Sequence, residues 1–133
     1  MSRYLLDTNI ISDLLRNPGG KVAQRAIAVG HEAICTSIIV AAELRYGCAK
    51  KGSASLRAAV EQLLEAIPVL PLVAPADAVY GRLRAELEAA GRLIGSNDLL
   101  IGAHAHALGA TMVTANTAEF SRIQSLAVEN WLD

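Results

Sequence analysis

The stretch RYLLDTNIISDLL at residues 3–15 decides how the rest of the chain is interpreted. Three apolar residues, 4–6, end in the carboxylate of Asp7, and a segment with helical character follows at once. A short run that is apolar on both faces is typical of a strand buried in a parallel sheet. Open α/β sheets bind their ligands just outside the carboxyl ends of the strands. The stretch therefore predicts a central strand with Asp7 at the ligand-binding edge.

Composition limits the class of protein. The 133 residues suffice for a single domain, 1–133, with one core. Hydrophobic residues make up 53% of the chain, so we expect some exposed apolar surface and, with it, a homodimer or a protein partner. The formal net charge of −1 argues against a domain that coats nucleic acid through bulk charge, but it allows a local basic patch.

The cysteines and the apolar segments indicate a cytoplasmic protein. Cys35 and Cys48 lie in apolar segments without metal-type spacing, which predicts buried free thiols in a reducing compartment. No apolar stretch is long enough to span a bilayer without polar interruption, and no signal peptide is visible. We therefore expect a cytoplasmic location and no membrane contact.

Strand-like and helical segments alternate along the whole sequence. The predicted strands are residues 4–6, 33–36, 68–71, 110–114 and 126–128. The segment 116–120 (NTAEF) is expected to be the loop and turn that follows the fourth strand. This alternation predicts a single α/β/α domain with a central, mostly parallel five-stranded sheet.

Two of the predicted helices carry carboxylates that a solvent-facing position does not explain. Residues 38–49 (IIVAAELRYGCA) are apolar almost all round, so we expect a helix buried on most sides. Its Glu43 has no Lys or Arg three or four positions away. Residues 97–108 (NDLLIGAHAHAL) are nearly free of charge, with Asp98 in the first turn. Such a carboxylate must take a proton or find a positive partner elsewhere.

The acids Asp7, Glu43 and Asp98, with Glu119 as a fourth, are therefore the candidate site. Parallel topology can bring the ends of two strands to one sheet edge, and a helix that crosses this edge could add Glu43. Clustered carboxylates repel one another unless a divalent cation lies between them. An all-oxygen set suits Mg²⁺ or Mn²⁺, and phosphodiester hydrolysis is the chemistry that such a site favours.

Each of these acids also has a purely structural interpretation. Asp7 could cap the helix that follows it, and Asp98 could favour the dipole of its own helix from the first turn. Glu43 could pair with a distant arginine, and Glu119 could be an ordinary surface acid. The sequence leaves these alternatives open for each residue taken alone.

Five blocks of the sequence, in order, resemble the PIN domain, and specifically the VapC family of toxin ribonucleases from prokaryotic toxin–antitoxin pairs. The blocks are LLDTNIIS at 5–12, AAELRYG at 41–47, IGSNDLLIGAHA at 94–105, VTANTAEF at 113–120 and LAVENW at 126–131. Together they run from the first residues to the last, so the resemblance covers the whole chain.

The resemblance implies an Mg²⁺- or Mn²⁺-dependent endoribonuclease that cleaves a structured RNA, such as tRNA or rRNA, and so inhibits translation. It also implies a VapB-like antitoxin whose tail blocks the active site. By motif position, Asp7, Glu43 and Asp98 match the acidic metal-site residues of the family. Thr8, Asn9 and Thr114 match its supporting polar positions.

The fourth acidic position is where this chain departs from many members of the family. Those members have Asp where this chain has Asn116, while others, like this one, have a Glu three residues later, at Glu119. The resemblance therefore leaves two questions open, whether Glu119 completes the site and whether one metal ion or two would bind.

Two rival functions also follow from the residues. A phosphatase or phosphotransfer domain would use the same carboxylates, but its usual second Asp is absent because position 9 is Asn. A non-catalytic interaction module would use the acids only to bind a basic tail of its partner. For the nuclease, the candidates for guiding RNA phosphate are Arg16, Arg45, Lys50, Lys51 and Arg92.

Overall fold

The computed structural model describes residues 2–133, which form a five-stranded, wholly parallel sheet in the order β3-β2-β1-β4-β5. The strands are β1 (Tyr4–Leu6), β2 (Ile34–Ser37), β3 (Val69–Leu70), β4 (Thr111–Val113) and β5 (Val128–Glu129). The helices are α1 (Thr8–Arg16), α2 (Lys21–Val29), α3 (Ile38–Lys51), α4 (Ala54–Ala66), α5 (Ala76–Ala89), α6 (Ser96–Leu108) and α7 (Thr117–Phe120). The predicted α/β fold is confirmed.

Strand β1 lies in the middle of the sheet, where its apolar sequence predicts it. Leu5 and Leu6 are fully buried, and β1 pairs with β2 on one side and β4 on the other. Leu6 stands opposite Val113 in this register. The next residue of each strand is polar, so the register brings Asp7 and Thr114 to the same sheet edge.

Local hydrogen bonds define where α3 and α4 begin. The Ser37 hydroxyl accepts from the backbone N–H of Ile39 at 3.1 Å and caps α3. Ser53 caps α4 in the same way, through the N–H of Leu56. These serine oxygens satisfy N–H groups that have no partner inside the helix, and so each helix begins directly after its serine.

Three local predictions are wrong. The segment 116–120 is not simply a loop and turn, because Thr117–Phe120 forms the short helix α7. The last strand is Val128–Glu129 rather than 126–128, because Glu129 pairs with Val113 while Leu126 closes a turn on Ile123. Helix α3 is not buried on most sides, since Tyr46 is 67% exposed.

Some apolar residues are buried in the core, and others remain exposed to solvent. Cys35 and Cys48 are free and buried, as predicted, and burial raises the pKa of Cys35 to about 11. Several large apolar side chains remain exposed, as composition predicted: Ile27, Ile38, Tyr46, Leu72, Val73 and Leu93. Within residues 2–133, every helix is too short or too polar to span a membrane.

Candidate active site

Asp7 lies at the carboxyl end of β1 and is only 3% exposed. Its Oδ1 accepts from the backbone N–H of Thr8 at 2.9 Å, and its Oδ2 accepts from the Thr114 hydroxyl at 2.7 Å. Burial raises the pKa of Asp7, while the hydrogen bonds from Thr114 and Thr8 oppose that shift because they favour the charged form. Asp7 is thus also the N-cap of α1. Asp7 can therefore cap α1 and still belong to the acid cluster.

Glu43 projects from α3 towards the same edge and is half-buried. Its Oε1 accepts a hydrogen bond from the Thr8 hydroxyl, and its Oε2 accepts one from the Asn97 amide at 3.4 Å. No ion pair of Glu43 occurs among residues 2–133, so the predicted alternative of an arginine partner does not hold there. Thr8 therefore bridges the two acids, with its backbone N–H on Asp7 and its hydroxyl on Glu43.

Asp98 occupies the first turn of α6 and lies within hydrogen-bonding reach of the side chain of Glu119 on α7. Burial, this hydrogen bond and the negative charges of Asp7, Glu119 and Glu43 raise the pKa of Asp98 to about 7. Asp98 thus lies near enough to the other three acids for their charges to act on its pKa. The structure thus brings together all four acids that the sequence singled out.

The supporting polar residues tie the loop after β4 to the end of β1. The Thr114 hydroxyl donates to Asp7 and accepts from the backbone N–H of Asn116 at 2.9 Å. The Asn9 side-chain oxygen accepts from the N–H of Ala115 at 3.0 Å. Asn116 thus enters this network through its backbone, whereas Asn9 and Thr114 enter through their side chains.

Two further contacts were not anticipated from the sequence. Asn97 holds Glu43 through its amide, and the only signal for it was its position next to Asp98 at the start of a helix. The buried hydroxyl of Thr36 donates to the carbonyl oxygen of Leu6 at 2.7 Å and so fixes the backbone just before Asp7. Nothing in the sequence distinguished Thr36 from any other strand threonine.

The basic residues divide into three groups. Arg16 and Lys51 line a cavity of about 210 Å³ together with Thr8 and Glu43, next to the acids. Arg45 forms an ion pair with Glu61 of α4, so it is not a free cation for binding RNA phosphate. Lys50 is exposed at the end of α3, and Arg92 lies on a separate groove beside α5.

The acids carry the right atoms for a hard cation but do not form a preassembled cage. Among residues 2–133, no group of three His, Cys, Asp or Glu side chains has the arrangement that holds a metal ion. The hydroxyl of Thr8 donates to Oε1 of Glu43 and so takes up an oxygen that a cation would need. Carboxylate oxygens nevertheless suit Mg²⁺ and Mn²⁺, and a cation would relieve the repulsion that raises the pKa of Asp98.

Comparison with known proteins identifies the family. The family model described as "PIN domain" matches residues 4–126. Ribonuclease VapC2 of Rickettsia felis is 39% identical over 130 residues, covering 96% of this chain and 97% of the relative. The chain belongs to the PIN-domain VapC ribonuclease family. Another relative, the tRNA(fMet)-specific endonuclease VapC of Shigella flexneri, is 36% identical and covers 98% of this chain and 99% of the relative.

Solved VapC-family structures share the fold over nearly the whole chain. A chain of VapBC2 from Rickettsia felis, bound to a promoter DNA fragment, superposes with a TM-score of 0.88 at 37% identity, covering 96% of this chain and 98% of that one. A chain of DNA-bound VapBC from Salmonella typhimurium gives a TM-score of 0.89 at 32% identity, covering 98% and 99%. The predicted family resemblance is confirmed.

Proposed function

We propose that this protein is a divalent-metal-dependent endoribonuclease that acts as the toxin of a toxin–antitoxin pair. The observation that carries the proposal is the convergence of Asp7, Glu43, Asp98 and Glu119 at one sheet edge, where burial and then the neighbouring acids raise the pKa of Asp98 to about 7. The substrate we propose is a structured RNA of the tRNA or ribosomal class, whose cleavage would stop translation. One relative, from Shigella flexneri, is a tRNA(fMet)-specific endonuclease.

The four acids are the residues that we propose to hold Mg²⁺ or Mn²⁺. When bound, such an ion lowers the pKa of the attacking water and stabilises the charge that develops on the phosphate and leaving oxygens. The acids alone would repel a phosphodiester, because like charges in a partly buried site interact strongly. A cation is therefore needed both to attract the phosphodiester and to offset the repulsion between the carboxylates.

The polar residues of the site hold the acids in place for this task. Thr114 and the N–H of Thr8 fix both oxygens of Asp7, so its carboxylate is oriented before any substrate arrives. The Thr8 hydroxyl and the Asn97 amide do the same for Glu43. Asp98 must be ionised before it can act as a ligand, and its raised pKa of about 7 therefore favours activity at neutral to alkaline pH.

We also propose a VapB-like antitoxin as partner, together with a homodimer and a cytoplasmic location. The solved relatives from Rickettsia felis and Salmonella typhimurium are VapBC complexes. The cavity that contains Arg16, Lys51 and Glu43 adjoins the acids and gives a partner segment direct access to them. Exposed apolar residues such as Ile38 and Tyr46 supply surface for a second copy or for the antitoxin.

The test is cleavage of a purified tRNA pool by the purified protein with Mg²⁺ or Mn²⁺, before and after chelation. We expect cleavage that chelation abolishes, and a loss of roughly 100-fold or more in Asp7→Asn, because oriented metal ligands contribute several kcal/mol to such reactions. Asp77→Asn removes an exposed acid at the start of α5 and is the matched control, with activity retained. Cleavage that survives chelation or Asp7→Asn would overturn the proposal.

A further inference from the structure

A basic groove lies apart from the acid cluster, and metal binding by the four acids does not account for it. It is an open groove of about 480 Å³ that lies between α5 and the segment after α7. Three arginines line it, Arg82, Arg92 and Arg122, together with Glu86 as the one acid in the lining. Because Glu86 pairs with Arg82 at 3.3 Å, the charges of Arg92 and Arg122 remain uncompensated within the groove. The groove is thus positive in a chain of net charge −1.

Arg92 has a fixed backbone position at the end of α5. Gly91 adopts the left-handed conformation with φ of 67°, which a glycine adopts without steric cost. The N–H of Gly91 then bonds to the carbonyl of Glu88, and the N–H of Arg92 bonds to the carbonyl of Leu87 at 2.8 Å. This is a Schellman motif, so the chain leaves α5 in one defined direction and carries Arg92 to the groove.

Arg122 is half-buried and faces the groove from the other side. Its Nη1 donates to the carbonyl oxygen of Leu93 at 3.1 Å, which leaves most of its five N–H donors available. Its backbone N–H bonds to the carbonyl of Glu119 at 3.1 Å. Among residues 2–133, neither Arg92 nor Arg122 forms an ion pair, so both charges are available to a ligand.

The groove and the acid cluster share two chain segments. Arg92 lies on the loop that leads directly into α6 and Asp98, and Arg122 lies one turn beyond Glu119. The bond from Arg122 to Leu93 ties these two segments together at the groove. A polyanion seated on the arginines therefore lies against the same two segments that carry Asp98 and Glu119.

We propose that this groove binds phosphates of the RNA that flank the cleaved bond, with Arg92 and Arg122 as the phosphate-binding residues. The inference rests on the proposed ribonuclease function and adds a substrate-binding surface to it. Planar guanidinium groups match phosphate oxygens in pairs, and the neutral Gln124 and Ser125 add polar groups to the lining. Such a surface also offsets the repulsion between the acids and the RNA backbone, since affinity for nucleic acid comes largely from neutralised phosphates.

The experiment measures RNA binding by the Asp7→Asn protein, which is chosen because it should bind without cutting. In that background we compare Arg92→Ala/Arg122→Ala with Lys21→Ala/Arg57→Ala, which removes the same charge from exposed positions on α2 and α4. Affinity for a structured tRNA is measured over a range of salt concentrations. We expect the groove variant to bind roughly tenfold more weakly at low salt. Its salt dependence should fall by about 1.4 in slope, because each phosphate that the variant no longer neutralises lowers the slope by about 0.7.

A second measurement separates this proposal from the proposed function. In the protein with Asp7 intact, the groove variant should lose cleavage of the tRNA while retaining cleavage of a short oligonucleotide that covers only the cleaved bond. If the protein with Asp7, Arg92 and Arg122 intact cuts neither substrate, the ribonuclease proposal fails. The groove proposal is judged separately, by how RNA affinity depends on salt concentration. Thermal melting of each variant checks that it is folded, and Arg122→Lys should keep part of the binding because it keeps the charge.

The groove proposal is overturned if the two double variants bind RNA equally well or show the same salt slope. It is also overturned if the groove variant binds RNA normally but loses affinity for the antitoxin. In that case the arginines would recognise an acidic protein segment instead of RNA.

Discussion

The hydroxyl of Thr114 donates a hydrogen bond to Oδ2 of Asp7 at 2.7 Å and joins residues that are 107 positions apart in the chain. Both residues are buried, and the same hydroxyl accepts from the backbone N–H of Asn116. One side chain thus connects the ends of β1 and β4 and the start of α7. The position of Asp7 therefore depends on a neutral side chain that comes from the far end of the sequence.

Replacing Thr114 with Val should damage both folding and activity. The substitution keeps the shape but leaves an oxygen of Asp7 and the N–H of Asn116 without a partner, which costs roughly 1–3 kcal/mol of unfolding free energy. Loss of this bond also raises the pKa of Asp7 further, so less of the charged form is available. Urea unfolding and cleavage rates measure the two effects. Thr114→Ser keeps the hydroxyl, and equal losses in both variants would contradict this prediction.

The pKa of Asp98 predicts how stability depends on pH in metal-free buffer. Asp98 is protonated up to about pH 7 in the folded protein but ionises near its ordinary value, about 3.8, when unfolded. Between these values the folded state binds more protons, so the free energy of unfolding should fall as pH rises from about 4 to about 7, and level off above. Thermal melts over this range measure the slope. Asp98→Asn should flatten it, and an unchanged slope in that variant would contradict the assignment.

Divalent metal should restore, above pH 7, the free energy of unfolding that the protein loses as pH rises. A cation that binds only the folded protein stabilises it through mass action, by about 2.7 kcal/mol when its concentration is 100 times the Kd. Melts with Mg²⁺ or Mn²⁺ should therefore shift upward at pH 8 and much less at pH 5, where Asp98 holds its proton. Asp98→Asn should weaken the shift, whereas Asp77→Asn should leave it intact. A shift of equal size at both pH values would indicate binding away from the cluster.

Much of the fold and the identity of the acids at the site could be predicted because the signals are local. The apolar run before Asp7 marks a central strand from three residues, and Ser37 marks the start of α3 from its position alone. Glu43 and Asp98 stand out because no Lys or Arg lies three or four positions away from either of them. Such features depend on neighbours within one or two helical turns, which a sequence displays directly.

The rest depends on contacts between distant segments. The partnership of Asp98 with Glu119 requires α6 and α7 to pack together, and α7 itself was not predicted. The pairing of Arg45 with Glu61 depends on how α3 meets α4, so the sequence could not show that Arg45 is already paired. The groove around Arg122 arises only when residues 82–92 meet residues 122–125. No local pattern encodes these distances.

Glu129 should matter more for stability than its exposed ion pair suggests. Its Oε1 accepts from the indole N–H of Trp131 at 2.9 Å and from Arg25 at 3.0 Å, and Trp131 is only 1% exposed. Glu129→Ala leaves the indole N–H unpaired and should cost roughly 1–3 kcal/mol. Arg25→Ala removes only the exposed ion pair and its contact with the ring and should cost about 1 kcal/mol or less. Chemical unfolding compares the two, and a larger loss in Arg25→Ala would refute this ranking.

Gly102 of α6 should control how closely α7, and with it Glu119, approaches Asp98. A Cβ at this position would lie 2.8 Å from Cδ1 of Ile123 and 3.5 Å from the ring of Phe120, both of which are buried. Alanine favours a helix over glycine by about 1 kcal/mol, but overpacking of a buried contact costs roughly 1–3 kcal/mol. Gly102→Ala should therefore be neutral to destabilising.

The same substitution should also disturb the site, because displacement of α7 moves Glu119 away from Asp98. We therefore expect the pH-dependent loss of stability to shrink in Gly102→Ala even if its total stability changes little. Ile123→Val removes the Cδ1 atom that clashes, so the Gly102→Ala/Ile123→Val double variant should regain the pH slope and the cleavage rate. A double-mutant cycle on both measurements tests this coupling. If the two substitutions act additively, Gly102 does not set the distance between α6 and α7.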